Sequence, residues 1–308
     1  MKKHILPAVV GMIALVLLAG GINPGVVRFL LDKVSLPAMA GLHRLTAPVP
    51  LPVAEPAALG IAAILVFTFL TSLISASALR HWLKGAARAA LVLGGLLALL
   101  WGPPLVQSVE DAPAPENEQL EWLCGELIDA LNASPLAFPT PGESLRLAPA
   151  VAGMPGCVVK AVRYPEWMEA AEICGMFVPL TGEALVDATA PAPLIPFTAV
   201  HELTHLAGVA DEGAANIAAW ERCLAGGGAF ADSARLWALR YAMGLLSERD
   251  PEALWQLDTR MEDPLSRTFR ECGGGTGPSP SRRSRLPLSR GDYAALTGFL
   301  AVDATKNE

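Results

Sequence analysis

FTAVHELTHLAGVADEGAANIAAW, residues 197–220, decides how the rest of this chain is read. It carries two histidines four positions apart, His201 and His205, with Glu202 directly after the first. On an α-helix, positions i and i+4 share one face, one turn apart, so both imidazoles can be directed at a single metal ion. Glu202 lies about 100° around the helix from His201, at the flank of that ion. Zinc lowers the pKa of a water it binds, and a flanking carboxylate can take the proton as the water attacks a peptide carbonyl. Thr198, Ala199, Val200, Leu203, Thr204 and Leu206 are all uncharged, as a buried helix requires. The chain has five histidines: His4, His43 and His81 sit in its first third, and these two are the only ones beyond it.

A catalytic zinc takes three protein ligands and leaves a fourth position open. Two candidates for the third follow the second histidine. With Asp211 the stretch reads His201, Glu202, His205, Gly208, Asp211, which resembles the long metzincin motif in its snapalysin-type form. With Glu212 and Asn216 it resembles the second helix of gluzincins, where a glutamate binds zinc and a residue one turn later supports a ligating histidine. Physical detail favours Glu212. Gly208 can end the first helix, and Asp211 suits the N-cap of the next. Asn216 would then stand one turn into that helix, where an amide can orient an imidazole. The Asp211 alternative leaves Asn216 idle and needs a Met-turn, for which Met243 and Met261 lack a turn context.

Weaker candidates carry blander readings. Tyr241 could donate a hydrogen bond to a developing oxyanion, although a tyrosine in an amphipathic helix more often packs. Glu183 could line a cleft, or face solvent from a strand. The region 177–186 could offer an edge strand to an extended peptide.

Away from the motif, composition points to a membrane. The 308 residues are 52% hydrophobic with a mean hydropathy of +0.40, too apolar for an ordinary soluble domain. Residues 1–104 carry a net charge of +6 and residues 105–308 a net of −13. A basic, apolar third ahead of an acidic remainder predicts a membrane anchor carrying a globular domain, and the acidity argues against nucleic acid as a partner. Three stretches, 5–22, 57–79 and 89–105, approach the length of a bilayer-spanning helix. Arg80, Lys84 and Arg88 cluster between the second and third, and Lys2 and Lys3 precede the first. By the positive-inside tendency these are cytoplasmic, which places everything after about residue 106 outside the cytoplasm. All five cysteines fall there, in a compartment that permits disulfides, and their odd number leaves at least one thiol unpaired.

The expected organisation is therefore an anchor over 1–105, a catalytic domain over 106–272, a low-complexity linker over 273–285 and a C-terminal helix and tail over 286–308. Within the domain, 120–134 reads as a helix and 145–164 as short strands with turns. Residues 174–189 read as two strands joined around Thr181-Gly182, and helices are expected over 212–225 and 230–247. The fold class is N-terminal transmembrane helices followed by a mainly helical α+β zincin-like domain.

The chain also resembles a bacterial family of membrane proteins, a domain of unknown function, with N-terminal spans and an extracytoplasmic HExxH domain. The likeness rests on GINPGVVRFLLDKV (21–34), GMFVPLTGEALVD (175–187), PFTAVHELTHLAGVADEGAAN (196–216) and RLWALRYAMGLL (235–246), and more faintly on GDYAALTGFL (291–300). Members usually carry a glutamate where this chain has Ala214, whereas Glu212 is retained; that departure suits Glu212 as ligand. The resemblance implies a zinc peptidase in the cell membrane. Expected ligands are His201, His205 and Glu212, with Glu202 as base and a peptide or protein of the envelope as substrate. The rival from another class is a non-catalytic, membrane-tethered binding or sensor module on the same scaffold.

Overall fold

The computed structural model describes residues 24–106, 115–171, 173–273 and 296–300, together with Gly11. The expected first span, 5–22, lies outside the described residues but for Gly11, and so do the linker over 274–285 and most of the tail. Residues 296–300 are helical, with Leu296 and Thr297 buried.

Two compact units make up the chain. The first takes in the described residues up to 106 together with two short excursions, Val178–Glu183 and Leu206–Ala210. It begins with α1 (Pro24–Leu30), a π-turn (Leu31–Ser35) and α2 (Leu36–Thr46). Then come α3 (Ala54–Ser72) and α4 (Ala76–Val106), two helices long and apolar enough to cross a membrane. Their outward side chains, among them Ile64, Phe67, Leu70 and Leu93, are exposed, as lipid-facing residues would be.

The turn between these helices is not where the charges suggested. It falls at Leu73–Ser75, and Arg80, Lys84 and Arg88 lie within α4 instead of in a loop. Ser75 accepts a hydrogen bond from the Ala78 amide at 3.1 Å and so caps the new helix. Between Ala76 and Arg88 only Gly85 disfavours a helix strongly, and alanine, leucine, lysine and arginine dominate the segment. Pro103 and Pro104 sit inside α4. A proline leaves the carbonyl four residues earlier without its helical donor. For Pro103 that carbonyl is Leu99, and the Ser35 hydroxyl supplies the bond at 2.7 Å.

The first excursion docks on α2 and on the start of α3. Gly182, at φ +66°, lets the turn pass so close that a Cβ there would lie 2.5 Å from the His43 backbone nitrogen. The His43 ring bonds the Gly182 carbonyl at 2.8 Å, and the Thr46 hydroxyl donates to the Thr181 carbonyl at 3.2 Å. Glu183 is neither cleft-lining nor solvent-facing. It is 1% exposed, and its carboxylate accepts from the Val53 and Ala54 amides, both at 2.8 Å. An anion there satisfies two otherwise orphaned donors at the positive end of the α3 dipole. Glu183→Gln removes the charge and one acceptor, and is expected to cost about 1–2 kcal/mol. A lower thermal midpoint of the purified chain would show this loss; an unchanged midpoint would mean those amides find other acceptors.

The second unit is mainly helical with a small sheet. Helix α5 (Asn117–Asn132) starts in a capping box between Glu116 and Gln119 and buries Leu120, Leu123, Leu127, Ile128 and Leu131 on one face. Residues 141–151 form helix α6, which takes up the first part of the 145–164 stretch where short strands were expected. The reason is local: Thr140 and Glu143 make a reciprocal capping box, and Pro141 occupies the first turn, where its missing amide costs nothing. Only β1 (Val159–Ala161) is extended in that region. After the short helix α7 (Pro165–Ala171), strands β2 (Gly175–Val178) and β3 (Glu183–Val186) form the expected hairpin. The sheet order is β1-β3-β2, with β1 parallel to β3 in the register Val159–Ala184, Lys160–Leu185 and Ala161–Val186.

A 3₁₀ turn (Ala192–Leu194) leads into α8 (Ile195–Leu206), followed by α9 (Glu212–Gly226), α10 (Gly228–Arg249), α11 (Pro251–Arg260) and α12 (Asp263–Glu271). Between Phe230 and Met243, α10 is buried almost all around, the signature of a central core helix; it packs on α5 and α9. The architecture is thus two N-terminal membrane-spanning helices followed by an α+β zincin-like domain. Among the described residues no two cysteines form a disulfide, and burial pushes the thiols of Cys124, Cys174 and Cys272 up to about 12.

Candidate metal centre

Helix α8 is enclosed along its whole length. Its polar side chains turn inward on their own backbone, with the Thr198 hydroxyl on the Leu194 carbonyl and the Thr204 hydroxyl on the Val200 carbonyl, both at 2.9 Å. Helix α10 ties down its start. Ser233 accepts from the Phe197 amide at 3.0 Å, and the Trp237 indole donates to the Leu194 carbonyl at 3.0 Å. One backbone donor of the first turn and the carbonyl just before the helix thus find partners on the central helix, which holds α8 in place.

Gly208, at φ +98°, ends the helix, and a Cβ there would come 2.4 Å from a Leu36 methyl carbon. Asp211 then takes an extended conformation and accepts from the Ala214 amide at 2.8 Å, as an N-cap does. That places Glu212 in the first turn of α9, turned towards the two histidines.

The three side chains converge. His201 Nε2 lies 3.1 Å from Glu212 Oε2, His205 Nε2 lies 3.5 Å from Glu212 Oε1, and the two ring nitrogens are 3.0 Å apart. One donor atom from each of His201, His205 and Glu212 falls within 4.8 Å of the others, the spacing of atoms around one metal ion. Both histidines are buried, while the Glu212 side chain is 48% exposed. The cluster is therefore closed on the α8 side and open on the other.

Burial lowers the pKa of His201 and so favours the neutral imidazole, although hydrogen bonds with Glu212 and Asn216 oppose the shift. For Glu212 burial acts upward, but hydrogen bonds with His201 and His205 outweigh it and hold the carboxyl well below the ordinary range. Two imidazoles and one carboxylate with an open face are a donor set suited to catalytic zinc. Asn216 is fully buried one turn after Glu212 and bears on His201.

Glu202 is 4% exposed, and its Oε2 has no hydrogen-bond partner among the described residues. Burial pushes its carboxyl up to about 8, with Glu212 adding to the shift and His205 opposing it. A buried, poorly solvated carboxylate beside a metal cluster is a strong proton acceptor. Tyr241 lies in the middle of α10 at 1% exposure.

Sequence reasoning missed Gly175, the first residue of β2. Its backbone passes directly over Glu202, and a Cβ there would fall 2.3 Å from Glu202 Oε1. A glycine opening a strand hinted at close approach, but nothing local said what approaches it.

No curated protein and no solved structure matches the chain. The model of DUF3810, a family described only as proteins of unknown function, matches residues 34–272. That span runs from the π-turn through both membrane-spanning helices and the His201–His205–Glu212 cluster to the end of α12, so this chain belongs to the DUF3810 family.

Proposed function

We propose that the protein is a membrane-anchored zinc metallopeptidase of the gluzincin kind, with His201, His205 and Glu212 as ligands and its catalytic domain outside the cytoplasm. The observation that carries this reading is the convergence of those three side chains on one point, with Glu202 buried beside them. A zinc ion bound there would polarise the scissile carbonyl and acidify the attacking water.

The chain's own residues supply the remainder. Glu202 takes the proton of the attacking water and passes it to the leaving amide nitrogen. Its near-complete burial strengthens it as a base and keeps bulk water from competing for the proton. Asn216 steadies the His201 ring, and Asp211 holds the start of α9 so that Glu212 keeps its direction. The open side of the cluster, at Glu212, is where a peptide would enter. The charge bias of the anchor supports the orientation: with Arg80, Lys84 and Arg88 on the cytoplasmic side, the domain would face the envelope and its peptide or protein substrates.

Full-length protein purified in detergent is expected to carry close to one zinc per chain and to cut an unfolded protein such as casein. A chelator should stop the cutting and added zinc should restore it. A metal-free preparation that neither takes up zinc nor cleaves would instead support a non-catalytic module on this scaffold.

A further inference from the structure

Glycine at position 175 is not there for its backbone freedom. The glycines with positive φ among the described residues do not include it, so an L-residue could adopt its conformation. What it lacks is room. An added Cβ would lie 2.3 Å from Glu202 Oε1, 2.8 Å from Glu202 Cγ and 2.8 Å from Thr198 Cγ2. These three nearest atoms all belong to Glu202 and Thr198, and none to a residue of the metal cluster.

Each party to that collision can be asked whether it could yield. The strand cannot readily lift away, because the Asp187 amide bonds the carbonyl of Cys174, the preceding residue, at 2.8 Å. Phe177, two positions on, is buried. Thr198 cannot readily turn its methyl aside, since its hydroxyl is committed to the Leu194 carbonyl at 2.9 Å. Glu202 is the loose member. Its Oε2 makes no hydrogen bond among the described residues, so packing positions that end of the carboxylate.

We propose that Gly175 is a positioning residue: its bare backbone is the wall that keeps the Glu202 carboxylate in one place, directed along the proton path. This rests on the peptidase reading for its consequence in catalysis, but the wall itself is a packing relation that can be measured without any substrate. Gly175→Ala pushes Glu202 aside and leaves the ligands where they are.

The test uses full-length protein in detergent, with Gly175→Ala as the variant and three readouts. Cobalt(II), added as a probe in place of zinc, should bind at one per chain with an unchanged visible absorption band, since the ligand set is intact. Casein hydrolysis should fall at least about tenfold through kcat with KM held, the mark of lost acid–base chemistry and not of lost binding. The melting temperature should drop by roughly 3–10 °C from overpacking. On a Thr198→Ser, Glu202→Ala background, where the opposing atoms are gone, the same glycine-to-alanine change should cost little. That non-additivity identifies Glu202 and Thr198 as the atoms displaced.

An equal drop in melting temperature on both backgrounds would overturn the proposal, as would wild-type kcat in Gly175→Ala. Should wild type bind cobalt yet leave casein uncut, the peptidase reading fails. The melting-temperature cycle then still decides whether Gly175 holds Glu202.

Discussion

Glu202→Gln is expected to abolish hydrolysis while leaving the metal in place. Glutamine matches the shape of glutamate but cannot accept and deliver a proton at neutral pH, and positioned acid–base catalysis is worth about 10²–10⁴-fold in rate. Cleavage of casein should fall by that factor, with zinc content still near one because residue 202 is not among the clustered donors. Folding should not suffer. Burial raises the Glu202 carboxyl to about 8 in the folded chain without metal, whereas the unfolded chain ionises near its ordinary value. Between those two values the folded state binds the extra proton, so wild-type stability falls as pH rises through that window. Glutamine has no proton to lose, so metal-free Glu202→Gln should lack this fall in stability over the same range. Hydrolysis surviving at the wild-type rate would remove Glu202 from the chemistry, and with it the proposed mechanism.

Glu212→Ala and Asp211→Ala should part company although the residues are adjacent. Glu212 reaches both histidines, at 3.1 and 3.5 Å, whereas the Asp211 side chain points back to the Ala214 amide at 2.8 Å. Loss of a residue that merely orients a ligand costs about 10–100-fold in metal affinity, and loss of Glu212 should exceed that, leaving the purified variant without zinc. Asp211→Ala should keep its zinc and lose about 1 kcal/mol of stability, the usual value of an N-cap. Metal analysis and thermal melts on the two variants check both halves. Full zinc in Glu212→Ala with none in Asp211→Ala would reverse the assignment and revive the metzincin-like arrangement.

Much of the cluster was legible because its logic is local. Four-residue spacing puts His201 and His205 on one helical face whatever surrounds them. Gly208 and Asp211 end one helix and start the next through their own backbone and side-chain preferences. The β2–β3 hairpin was readable from two apolar runs around Thr181-Gly182. The second half of helix α6 was misread because the Val, Pro and Gly content of the whole 145–164 stretch suggested strands, while the deciding feature, a capping box at Thr140 and Glu143, sits just upstream of it. The turn at Leu73–Ser75 was misplaced because basic residues mark which side of a membrane a segment prefers, not where a helix ends.

By itself, the sequence determined the pairing of His201 with His205 on one helical face, the break between α8 and α9 and the apolar helices at the start, all set by neighbours within a few residues. Tertiary structure decided what those pieces meet. It turned Glu183 into the clasp for the α3 amides, gave Ser35 to the carbonyl orphaned by Pro103, and laid Gly175 across Glu202. Each of these joins residues tens of positions apart, where no periodicity or local propensity reaches. Such partners are chosen only when the packed core leaves a buried donor, acceptor or gap that one particular side chain, or its absence, can satisfy.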